Sequence, residues 1–169
     1  MNSFADNEPQ LLQAVIAGDA QAIRCLYDRY IGLLTAVCMR YIVNSEDVKD
    51  VLQDSFVKIL SSIARFDYRG EGSLKAWMVR VVVNESLSLL RQKERMELVV
   101  TEDTLPDRMD EEEPEDGDVP PEVIMDLIRQ LPTGYRTVFN LYVFEHKSHK
   151  EIADILHTKE NSSASQFHR

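Results

Sequence analysis

Apolar residues recur every three or four positions through most of the chain, the spacing that gathers them on one face of an α-helix. The first run, Leu11, Leu12, Val15 and Ile16, is a weak amphipathic start that stops at Gly18. Asp19 then caps a core helix over 20–41, with Ile23, Leu26, Tyr27, Tyr30, Ile31, Leu34, Val37, Cys38 and Tyr41 on its apolar stripe. Asn44-Ser45 breaks and recaps, and the pattern predicts a helix over 45–64 that buries Val48, Leu52, Phe56, Ile59, Leu60 and Ile63. A glycine-hinged loop, 66–72, leads into the longest segment. From Ser73, read as an N-cap, to about residue 95, no Pro or Gly intervenes. Leu74, Met78 and Val82 line one flank of this helix and Val79, Val83 and Leu87 the other, which predicts burial inside a bundle. Its one polar stripe spans a sector of about 80°, at roughly 100° per residue, and holds Arg80, Asn84, Ser88, Arg91 and Arg95 with Trp77 beside them.

A second set of helices begins at Pro121, a good first helical residue. Val123, Ile124, Leu127, Ile128 and Leu131 carry one helix to Pro132, and Gly134-Tyr135 begins another containing Val138, Phe139 and Leu141. Ser148-His149-Lys150-Glu151 is a capping box opening a short helix over 152–156. A His157-Thr158 turn separates it from a polar helix over 159–169. The expected fold class is all-α: a helical bundle over 1–96 and a four-helix, helix-turn-helix domain over 121–169, joined by a flexible acidic linker over 97–120.

Composition changes this picture at one point. The net charge of −10 argues against nucleic-acid binding only until it is localised. Residues 97–118 hold eleven acids and one base, and so account for the whole of it; the other residues balance at 18 acids and 18 bases. The linker contains Pro106, Pro114 and Pro120-Pro121 and should stay extended, either as a passive tether or as a mimic of nucleic acid in a basic groove. No run approaches the roughly 18 apolar residues of a membrane span. The N-terminus lacks a basic region followed by an apolar core, so a cytoplasmic protein without membrane insertion is expected. Cys25 and Cys38, roughly 20 Å apart on one helix, are too distant for a disulfide and are read as buried thiols.

Three features carry candidate chemistry. The stripe on the long helix is either a polar seam against neighbouring helices or a nucleic-acid track, with Arg for phosphate and guanine, Asn for adenine, and nearby aromatics for stacking. Asp47, Asp50 and Asp54, with Gln53 beside them, share one face of the 45–64 helix. A solvated face, a divalent-metal cluster and a docking surface for a basic partner all fit that spacing; no second Asp-rich helix supplies facing ligands for the metal. The last two helices have helix-turn-helix dimensions, with a plain helical hairpin as the alternative. Ser162, Ser163, Ser165, Gln166 and Arg169 would face outward there. No nucleophile–base pair, phosphate loop or facing carboxylates appear, so no catalysis, cofactor or metal is expected.

Taken in order, these motifs resemble the extracytoplasmic-function class of sigma factors in the sigma-70 family. The resemblance lies in 22–30, in 46–58 (Glu-Asp-Val-Lys-Asp-Val-Leu-Gln-Asp-Ser-Phe-Val-Lys), in 72–80 with Asn84, in Leu131-Pro132, in 136–139 and in 150–156 onward to His168-Arg169. It implies core RNA polymerase, promoter DNA and an anti-sigma protein as partners. It implies that Asp47, Asp50, Gln53 and Asp54 grip the polymerase clamp helices. The loop bearing Phe66, Tyr68 and Arg69 would capture a base flipped from the −10 element, while Trp77, Arg80, Asn84, Arg91 and Arg95 follow the non-template strand. The last helix, with Lys159, Ser162, Ser163, Ser165, Gln166 and Arg169, would read the −35 element. The chain departs from the pattern at Ser88, where Asp is usual, and at His157, where a turn Gly is usual. It also stops at Arg169, where relatives continue, which suggests a truncated C-terminus. The competing reading is a helix-turn-helix regulator that never joins polymerase.

Overall fold

Short polar side chains set where the first helices begin. Asn7 Oδ1 accepts from the Gln10 amide at 3.1 Å, and Asp19 Oδ1 from the Ala22 amide at 2.8 Å. Asn44 Oδ1 accepts from both Glu46 and Asp47, at 2.9 and 3.1 Å. Each satisfies amides that have no partner within their own helix. In the computed structural model, described for residues 7–97 and 120–157, the result is α1 (Glu8–Ile16), α2 (Ala20–Tyr41), α3 (Ser45–Ser62) and α4 (Ser73–Glu97), then α5 (Pro121–Gln130), α6 (Thr133–Val143) and α7 (His149–Leu156). The fold is all-α among the described residues. None of these helices is long and apolar enough to cross a membrane.

Two local details differ from the sequence reading. The expected 45–64 helix ends its α geometry at Ser62 and continues as a 3-10 turn, Ile63–Arg65. There the Ser61 and Ser62 hydroxyls both donate to the Lys58 carbonyl, the kind of side-chain competition that loosens a last turn. Ser73 is the first helical residue of α4 rather than its cap. Its hydroxyl turns back into the loop, donating to Gly70 O at 2.6 Å and accepting from the Arg69 amide at 3.2 Å.

α2 is the central helix and packs against α1, α3 and α4. Leu26, Leu34, Ile59, Leu74, Met78 and Val82 are fully enclosed between them. Each such side chain contributes about 1.5–3 kcal/mol by leaving water. Leu60 and Tyr27, expected inside, are exposed; they flank a groove between α2 and α3. Cys38 is buried, whereas Cys25 is only half-buried.

The two halves of the chain touch, which periodicity alone did not predict. α5 and α6 pack on α2, and Val138, Leu141 and Ile152 join the same continuous core as the first four helices. The junction is polar at its centre. The buried Arg136 guanidinium donates to Leu131 O at 2.8 Å, Arg129 O at 3.2 Å and Tyr41 O at 3.2 Å. Asn140, fully buried, donates to Arg40 O at 2.8 Å. Cationic and amide donors thus meet the carbonyl-rich ends of α2 and α5, where helix dipoles favour positive charge. Arg40 in turn lies over the Phe144 ring, 4.3 Å from its centroid.

The expected capping box is formed. Ser148 Oγ accepts from the Glu151 amide at 3.2 Å, and Glu151 Oε2 accepts from the Ser148 amide at 2.8 Å. That amide, first, and then the Ser148 hydroxyl hold the Glu151 carboxyl below the usual carboxylate range. His157 closes α7 in the left-handed region at φ 55°, the geometry for which Gly is favoured. The acidic linker, apart from its ends, and the expected helix over 159–169 lie outside the described residues.

Candidate nucleic-acid interface

A helix buried on two flanks can show solvent only one row, and α4 shows the row expected. Arg80, Asn84, Ser88 and Arg91 are all exposed. Trp77, half-buried at the start of the row, packs against Phe66 with ring centroids 4.9 Å apart and a tilt of 31°. The two rings form one wall of a cleft of about 450 Å³. Lys58, Arg65 and Asn84 stand around it, and Lys58 is bound to Glu85 at 2.5 Å. Flat apolar walls with cations at the rim suit a planar, negatively flanked group such as a nucleotide.

The loop 66–72 is braced from inside. Gly70 and Gly72 sit at φ 108° and 81°, backbone that side chains rarely adopt. Asp67 pairs with Arg69 at 3.0 Å, and Ser73 ties the Arg69 amide to the Gly70 carbonyl. A third support comes from α1. Glu8 Oε1 accepts from the Tyr30 hydroxyl at 2.9 Å, and Glu8 Oε2 from the Gly72 amide at 3.3 Å. Burial and then the Glu8 hydrogen bond push the Tyr30 phenol up to about 12. Partial burial and the Glu8 carboxylate also raise the Tyr68 phenol.

On the other side of Asn84, Arg80 and Asn84 line a second cleft of about 450 Å³, closed by Leu141, Glu145, Lys147 and Ile155 of the C-terminal half. Arg91 donates to Ile155 O at 2.8 Å. The row is therefore partly a seam between halves and partly an open face.

The acids on α3 are not equivalent in their surroundings. Asp50, Gln53 and Asp54 are exposed, but Asp47 is half-buried and bound by Lys93 of α4. Gln53 lies on the rim of the α2–α3 groove, a cleft of about 710 Å³ lined by Ile31, Met39, Leu52, Phe56 and Val57. The side chain of Arg95, and Lys159, Ser162, Ser163, Ser165, Gln166 and Arg169 as a group, lie outside the described residues. Glu8, Arg136 and Asn140 were not singled out as site residues in the sequence. Each acts on backbone far away in the chain, and only a polar residue interrupting an apolar stripe hints at this.

The family model described as Sigma-70 region 2 matches residues 26–96, and that described as Sigma-70, region 4 matches 122–169. The ECF RNA polymerase sigma-E factor of Haemophilus influenzae is 31% identical over 157 residues, covering 86% of this chain and 82% of the relative. The ECF RNA polymerase sigma factor SigW of Bacillus subtilis is 28% identical over 172 residues, covering 94% and 89%. A solved structure, CnrH in complex with the cytosolic domain of CnrY, covers 94% of this chain and 88% of that one at 23% identity, with a TM-score of 0.48. Both matched regions, in the same order along nearly the whole length, place this chain in the sigma-70 family, among its extracytoplasmic-function sigma factors.

Proposed function

We propose that this sigma factor joins core RNA polymerase through α3, opens promoter DNA through the loop 66–72 and α4, and reads the −35 element through the helix over 159–169. The domains divide accordingly at 1–96, 97–120 and 121–169. The observation that carries the proposal is the pairing, on one helical unit, of an aromatic-walled cleft with the exposed Arg80–Asn84–Arg91 row. Opening a duplex without ATP requires holding a base outside the stack. Unstacking costs a few kcal/mol, and stacking on protein aromatics returns roughly 1–3 kcal/mol per base. Phe66, Tyr68 and Trp77 supply the rings. Arg69, Arg80, Arg91 and Arg95 supply charge for the backbone, and Asn84 an amide for a base edge.

On the other contact, Gln53 lies on the rim of an apolar groove and Asp50 and Asp54 are exposed on the same helix, which fits a partner helix with basic and apolar faces, as the polymerase clamp would offer. Arg91 can follow a strand only after it leaves Ile155 O, so binding DNA in this reading loosens the contact between the halves. Polymerase holds the two halves on one promoter and raises their effective concentration. An anti-sigma protein covering both halves belongs to the same reading, as does action in the cytoplasm.

The test separates opening from binding. Tyr68→Ala and Arg69→Ala should each lower promoter opening, read by permanganate reactivity of unpaired thymines, by roughly 10-fold. Closed-duplex binding should change by no more than about twofold. Equal loss of both activities would contradict base capture by this loop.

A further inference from the structure

A carboxylate withdrawn from water needs a compensating set of donors, and Glu8 has an unusual one. It is only 8% exposed, although it stands in the first turn of the nine-residue helix α1. One oxygen accepts from the Tyr30 hydroxyl on α2, and the other from the Gly72 amide, 64 residues away. The Glu8 carboxylate, after partial burial, also raises the Tyr68 phenol. Gly72 also provides the carbonyl that receives the Ala76 amide, so it is the cap of α4. The carboxylate therefore sits at the positive end of α4 as well as of its own helix.

The loop's remaining bonds are local. The Asp67–Arg69 pair and the Ser73 hydroxyl shape the segment 67–73 without attaching it to the bundle. Phe66 anchors its beginning against Trp77. Tyr68 packs against the core in the middle of the loop, and Glu8 fastens its far end to α1 and α2. α1 lies before residue 26, where the region 2 match begins, so the fastening comes from outside the matched segment.

We propose that Glu8 is a positioning residue for promoter opening: it ties α1, α2 and the loop 66–72 together and presets the loop for the unstacked base. The inference rests on the base-capture reading above. A preset loop loses little conformational freedom when it closes on a base, and that saving appears in opening, not in closed binding.

The experiment compares Glu8→Ala, Glu8→Gln, Tyr68→Ala and the Glu8→Ala/Tyr68→Ala double variant, each as full-length protein with core polymerase. Opening is read by permanganate reactivity, and closed-complex affinity and thermal unfolding are measured alongside. Glu8→Ala should lower opening roughly 10-fold, a factor worth ~1.4 kcal/mol, and leave closed binding within about twofold. Glu8→Gln, which keeps an acceptor for Gly72, should fall between it and the parent. Glu8→Ala should add little in the Tyr68→Ala background, because both act through one trap. If Tyr68→Ala impairs opening and Glu8→Ala does not, the role of Glu8 is overturned and base capture stands. Equal losses in opening and closed binding for Glu8→Ala would also overturn it, as damage to the fold. If Tyr68→Ala leaves opening intact, base capture itself fails and the inference falls with it.

Discussion

Asp50→Arg is expected to weaken binding to core RNA polymerase by at least about 100-fold, or ~2.7 kcal/mol. Asp50 is exposed, and the residues packed inward beside it are Val48, Val51 and Leu52, so the substitution leaves the core untouched. The helix itself should not suffer. Glu46 and Asp54 stand four residues to either side, and arginine between them exchanges like-charge repulsion for attraction. Folding stability should therefore stay within about 0.5 kcal/mol. At the interface the reversal removes an attraction and installs a repulsion, and removing one partner of a desolvated pair costs roughly 2–5 kcal/mol. Asp47→Arg is the poorer test because it also breaks the link to Lys93. Co-purification with core polymerase, with duplex binding by the free protein as control, is the measurement. Polymerase binding at the parent level would mean that Asp50 is not part of the contact, and a parent protein that does not co-purify with core polymerase would favour a DNA-binding regulator that does not join the enzyme.

Arg136→Ala is expected to lower folding stability by about 3–4 kcal/mol. The side chain is 6% exposed and donates to carbonyls of Arg129, Leu131 and Tyr41. Truncation leaves these carbonyls without their donor, and each buried orphan costs about 1–3 kcal/mol when water cannot reach it. Burial first, and then the Arg129 charge, pull the Arg136 pKa below its ordinary value, but a guanidinium stays protonated, so no acid–base escape exists. Arg136→Lys should recover only part of the loss, since an ammonium cannot fork across three carbonyls set by two helix ends. Because one of the three belongs to α2, the C-terminal half should loosen from the bundle first. Urea unfolding followed by far-ultraviolet circular dichroism measures the loss. A value within about 0.5 kcal/mol of the parent would mean that these bonds carry no weight.

How far the chain could be read from its residues depended on the distance over which each residue acts. Asp19, Asn44 and the Ser148–Glu151 box act on amides two or three positions away; they placed the starts of α2 and α3 and the cap of α7, which begins at His149 rather than at 152. Periodicity identified the stripe of α4 because helical geometry alone determines which residues share a face. It misjudged Leu60 and Tyr27, and left Val123, Ile124 and Leu127 exposed on α5, because an apolar stripe does not say what covers it. Ser73 was placed by type at a cap, yet loop carbonyl and amide drew its hydroxyl the other way. The longer links had no local mark beyond a polar residue interrupting an apolar stripe. Glu8 reaches Gly72 across 64 residues and Arg136 reaches Tyr41 across 95. Asp47 looked equivalent to Asp50 until Lys93 was placed beside it.

The most direct measurement is transcription in a purified system: this protein, core polymerase stripped of sigma, nucleotides and a library of double-stranded templates. The account predicts transcripts beginning at discrete positions on a subset of templates, and only when the protein is added. Transcripts from artificially premelted templates alone, or none from any template, would contradict it.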